Sequence, residues 1–102
     1  MATAAHLAVT HPARFEITTV SSMEAGRDLR NRVRQALQHG VRDFVFDCQR
    51  WDRLDLLVLS SLVQCAAACR EHGANFDVAN MSSTMLKDVR ELRLAERLGL
   101  AA

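Results

Sequence analysis

Cys65, Cys69 and His72 stand at i, i+4 and i+7, a spacing that puts all three on one helix face. With Cys48 they form the one set in this 102-residue chain that invites a metal reading. Structural zinc sites draw on closely spaced ligand pairs carried by loops, and no second pair occurs here. In the Ala-rich context QCAAAC, small thiols packed against a sheet are the expected state, so no metal site is predicted. His6, His11, His39 and His72 have no spacing to Ser, Cys or Asp that makes a triad, and the four Gly form neither GxGxxG nor a P-loop. No catalytic residue and no cofactor is therefore expected. Ser60 and Ser61 fall inside a helical stretch, where a hydroxyl usually bonds its own backbone, so neither is expected to accept a phosphoryl group. Arg27, Arg30 and Arg34 make a basic stripe interleaved with Glu24 and Asp28. A solvated face with local ion pairs is its expected role, and an electrostatic contact to an acidic partner the alternative.

These residues must be held by a framework, and the hydrophobic periodicity supplies one. After a loose start over residues 1–5, His6–Val9 and Arg14–Val20 read as strands about a turn at Thr10–Ala13, with Phe15 and Ile17 alternating with polar neighbours. Ser21-x-x-Glu24 has the form of a capping box opening a helix to about Gln38, with Leu29, Val33 and Leu37 as its inner stripe and Gly40 as its stop. Asp43–Cys48 carries the apolar run Phe44-Val45-Phe46, the pattern of a central strand covered on both faces. Gln49–Asp55 is a loop or short edge segment, Leu56–Glu71 a helix closed by His72-Gly73, and Ala74–Ala79 a further strand. Ser82 or Ser83 caps a last helix bearing Met85, Val89 and Leu92, with a short turn near Leu98. The alternation predicts one α/β domain over residues 1–102, a four- to five-stranded mixed sheet with helices mainly on one face.

Composition narrows the function classes. Thirteen Lys and Arg against twelve Asp and Glu leave a net charge of +1, without the basic excess of a nucleic-acid binder. No run approaches the roughly 20 apolar residues a membrane helix needs, and residues 1–9 do not read as a signal peptide. Three cysteines at unrelated spacings suggest a reducing, cytoplasmic compartment.

The run FVFDCQRWDRLDLLVLSSLVQCAAACREHGANFDVANMS resembles the centre of the STAS family, the fold of anti-sigma-factor antagonists. Members show a strand ending in Asp or Asn, a short linker, an Asp-Ser-Ser-Gly-Leu-like turn opening a helix, a Gly, and another strand. Asp47 falls at the strand end, Asp55 at the Asp of the turn and Gly73 at the glycine, all without a gap. The two Ser of the turn become Leu56 and Leu57, and the Gly becomes Val58. In the family the second Ser is phosphorylated by an anti-sigma kinase, and the dephosphorylated form binds that kinase and frees a sigma factor. Leu57, at the phosphoacceptor-equivalent position, has no hydroxyl to accept the group.

The resemblance thus implies a bacterial, cytoplasmic, non-enzymatic module for signalling and transcription regulation. It would bind an anti-sigma factor or related serine kinase without a covalent switch. The alternative is a structural or stimulatory subunit, either the small partner of the ATPase in phospholipid-type ABC transporters or part of a larger signalling scaffold. The expected partner-binding residues are Ser21, Ser22, Trp51, Arg53, Asp55, Leu56, Leu57 and Val58. Asp55 is also expected to cap the helix. Trp51, Leu57 and Val58 each carry a competing expectation, that they turn into the core.

Overall fold

The computed structural model describes residues 12–18 and 23–100. The strand expected at His6–Val9 lies outside them, as do Ser21 and Ser22. The described elements run β1 (Ala13–Thr18), α1 (Met23–Gln38), β2 (Asp43–Arg50), α2 (Leu56–Glu71), β3 (Asn75–Ala79), α3 (Ser83–Glu91) and a 3-10 turn at Glu96–Leu98. The strands form a parallel sheet in the order β1-β2-β3, with Phe15 opposite Phe46 and Phe46 opposite Val78. The expected α/β alternation is therefore present. Among the described residues the sheet has three strands, all parallel, rather than the four to five of a mixed sheet.

Both crossovers step in the same direction along the sheet, and the right-handed rule for such connections puts their helices on one face. That face is the one bearing the phenylalanines. Phe15, Phe44, Phe46 and Phe76 form a chain of rings with successive centroids 6.1 to 6.4 Å apart. Arg32 of α1 lies over Phe15 at 5.3 Å and Arg70 of α2 over Phe76 at 4.9 Å, roofing both ends of the row. Beneath the helices Phe46, Leu37, Leu59, Leu62 and Val33 are fully buried, and removing one such large side chain costs about 2–5 kcal/mol.

The opposite face differs from expectation. Arg14, Glu16 and Asp77 are exposed there and Val45 is only half-buried, so β2 is covered on one face among the described residues. The run Phe44-Val45-Phe46 reads as two-sided only because a small apolar residue stands between two aromatic ones.

Helix α2 is apolar on most of its circumference because it packs on the sheet and on α1 together. Small residues permit the close approach: Ser61 fills the space that a side chain at Gly26 of α1 would need. The helix ends in a double hydrogen-bonded turn, Ala74 N–H to Cys69 O at 2.8 Å and Gly73 N–H to Arg70 O at 3.1 Å, with Gly73 left-handed at φ 68°. Ser82 caps α3, its hydroxyl accepting from the Met85 amide at 3.1 Å. Leu92, expected within the last helix, instead ends α3 and is 44% exposed, where the chain turns left-handed at Arg93 (φ 61°).

Candidate functional site at the start of α2

The linker Trp51–Asp55 delivers the chain from the end of β2 to the first turn of α2, and Asp55 fixes where the helix begins. It is extended (φ −135°, ψ 122°), and one carboxylate oxygen accepts from the Leu57 amide at 2.9 Å and the Val58 amide at 3.1 Å. Both are among the amides a helix start leaves without a backbone partner, and a carboxylate there also meets the positive end of the helix dipole. The expected cap is therefore present.

With the first turn fixed, helical geometry sends successive side chains in different directions. Leu56 is 65% exposed and Leu57 50%, whereas Val58 enters the core. Across from them, at the start of α1, Met23 is 69% exposed. Met23 and Leu57 line the same groove, with Arg27 and Arg30 on its α1 wall and Ser60 and Gln64 on its α2 wall. Arg53 is exposed on the linker.

Trp51, expected to extend the surface patch, is instead 1% exposed and lies in the core, where its indole N–H finds no acceptor among the described residues. Trp51 and Val58 both belong to the buried core cluster. The two serines next in the helix also part company. Ser60 is exposed and accepts from Gln64 at 3.2 Å, while Ser61 is buried and accepts from Arg30 at 2.9 Å.

Behind the linker, Asp47 ties three parts of the chain at the carboxyl end of the sheet. One of its oxygens accepts from Gln49 N–H and Asn80 Nδ2, each at 3.0 Å, and the other from Arg14 at 2.8 Å. The Asn80 bond, then the Gln49 amide and Arg14, hold its carboxyl down at about 2. Asn80 is left-handed (φ 62°), a conformation Asn tolerates better than most residues. Sequence reasoning placed Asp47 at the strand end but not this network, since two of its three partners lie 33 residues away, one on either side.

The cysteines are packed inward as expected. Burial pushes the thiols of Cys48 and Cys65 up to about 12 and that of Cys69 up to about 11. His72 is exposed and its Nδ1 lies 2.9 Å from the Ala68 carbonyl at the end of its own helix. Among the described residues, no three of His, Cys, Asp and Glu are grouped as metal ligands.

A family model described as "Mlab, STAS domain" matches residues 8–100, nearly the whole chain. The chain belongs to the STAS family. No curated protein and no solved structure matches it. STAS domains are in general non-enzymatic modules that mediate protein–protein interaction. Among the described residues, no helix is long and apolar enough to cross a membrane.

The turn that resembles the family's signature in sequence sits at a helix start capped by Asp55, and Leu57 there is half-exposed. Met23 was missed by sequence reasoning. Its signal is the spacing Met23, Arg27, Arg30, Arg34, which repeats at four, three and four residues and so marks one edge of α1.

Proposed function

We propose that this STAS module is a constitutive protein-binding subunit that docks its partner through Met23, Leu56 and Leu57. The single observation carrying this reading is the exposure of those three large apolar side chains at the helix starts. Met23 and Leu57 line one groove, and exposed apolar side chains gathered in this way favour a contact face. Arg53 stands at its rim, Asp55 holds its geometry, and Trp51 and Val58 lie in the core.

With Leu at position 57, no phosphate can be added there to repel a partner, so the on/off charge logic of the family is absent at that position. Control then falls to expression or to the partner itself. Two partner classes follow from the family resemblance. An anti-sigma factor or related serine kinase would be sequestered by competition. A transporter ATPase would carry the module as a permanent subunit. The apolar character of the patch favours the permanent subunit, because obligate interfaces are the more hydrophobic ones. A cytoplasmic setting, in which thiols stay reduced, goes with either partner.

Affinity capture of the tagged chain from its native cells, beside a Leu57→Asp form, tests the reading. A stoichiometric ATPase with its membrane subunit, lost from the Leu57→Asp form, is the expected result. Recovery of an anti-sigma kinase would move the assignment to constitutive antagonism. A partner retained equally by both forms would refute docking at this surface.

A further inference from the structure

The groove that begins at Met23 and Leu57 does not end with them. Gln64 also lines a second hollow farther along, where Arg34 forms part of the α1 wall, so the two adjoin at Gln64 along the channel between α1 and α2. Their volumes are about 210 and about 290 Å3. The channel is apolar at its head and cationic along one wall, where Arg27, Arg30 and Arg34 follow one another at helical spacing. The only acid on either half is Glu71, at the far end.

These arginines were expected to be neutralised by neighbours on their own helix, and among the described residues they are not. Asp28 faces Arg32 on the other flank of α1, at 3.9 Å. Arg30 donates to Ser61, and neither Arg27 nor Arg34 takes part in an ion pair among the described residues. With Arg27 and Arg34 in no ion pair among the described residues and Arg30 on a neutral hydroxyl, this wall is positive save for Glu71 at its far end, and its complement is acidic.

We infer that this channel seats an acidic amphipathic helix of the protein partner, its apolar end against Met23 and Leu57 and its carboxylates along Arg27, Arg30 and Arg34. The inference rests on the docking reading above and specifies what docks. The α1 wall from Met23 to Gln38 is about 22 Å long at 1.5 Å per residue, room for roughly four helical turns. Carboxylates at i, i+3 and i+7 of an incoming helix repeat the spacing of the three arginines. A concave channel between two helices suits an inserted helix better than the flat headgroup plane of a bilayer.

The probe is a fluorescein-labelled synthetic helix with Leu in its first turn and Glu at three successive i, i+3, i+7 positions. Its controls are the same peptide with Lys for Glu, and phosphatidylglycerol vesicles. Each exposed charge pair contributes about two- to fivefold in affinity, so Arg27→Glu with Arg34→Glu is expected to weaken the acidic peptide by tenfold or more. The loss should shrink in high salt, and the Lys peptide should prefer the doubly reversed form. Arg27→Gln with Arg34→Gln serves if the reversed form does not fold. Peptide binding indifferent to these changes, or vesicle binding without peptide binding, would overturn the inference. A captured partner that is lost with Leu57→Asp but untouched by the arginine reversal would leave the docking surface standing and remove the acidic helix. One indifferent to Leu57→Asp would remove the docking surface itself.

Discussion

Substituting Asp at position 57 and Ala at position 58 perturbs two adjacent side chains that the first turn of α2 sends in opposite directions. Leu57 keeps half its surface in water. Full burial of a leucine contributes about 1.5–3 kcal/mol, so loss of its half-buried contacts costs about 1 kcal/mol. Against that, a carboxylate in the first turn gains about 0.3–1 kcal/mol from the helix dipole. Leu57→Asp should therefore change stability by about 0–1 kcal/mol, a fall in Tm of at most roughly 8 °C for a domain of this size. Val58 is 9% exposed and lies within the core. Val58→Ala removes two carbons at about 0.8 kcal/mol each and leaves a cavity, for a total of about 2–3 kcal/mol and a Tm lower by roughly 10–20 °C. Thermal unfolding followed by circular dichroism, with partner retention measured on the same preparations, separates the two. A Leu57→Asp form as unstable as Val58→Ala would place Leu57 in the core and refute the outward patch.

Other perturbations probe the frame around that patch. Asp55→Ala leaves the Leu57 and Val58 amides without their carboxylate and should cost about 1 kcal/mol in chemical denaturation, with Asp55→Asn recovering most of it. Asp47 titrates at about 2 in the fold against an ordinary 3.8, so between those values the unfolded chain binds more protons than the folded one. Its contribution is complete above about pH 4 and is lost as pH falls toward 2, and acid unfolding of Asp47→Asn should be correspondingly less steep over that window. Cys48, Cys65 and Cys69, with thiols pushed to about 11–12, should resist a thiol-specific reagent at neutral pH in the folded protein and all react in denaturant.

Much of the framework was legible because its signals are local. The span Leu56–Glu71 could be read to the residue, since Asp55 is a strong cap and Gly73 a strong stop, both set by backbone chemistry within a turn of the helix end. The strand at Asp43 was recognisable from Phe44 and Phe46, but its length was not. It continues to Arg50, which carries no strand signal and pairs with Thr18 of β1 past a shift in register. Residue type left Trp51 ambiguous, since an indole suits an interface and a core equally, and only the path of the linker decides. The ion pairing of Arg27 and Arg34 was misread for a related reason. Charge alternation along a sequence says little about which carboxylate shares an edge of the helix, and Asp28 faces Arg32 instead. Gly26 gave no sign of its role, because the residue that needs its missing side chain, Ser61, belongs to another helix.

The burial of Trp51 has an optical consequence. It is the chain's one tryptophan, and there is no tyrosine, so near-ultraviolet emission comes from a single indole buried at the start of the linker that leads to α2. In its dry surroundings that indole emits toward the blue, and any rearrangement that lifts the linker into water shifts the band to the red. The molecule therefore carries its own lamp in the linker that leads to α2, and a docked protein that presses on the linker would change its colour without any label having been added.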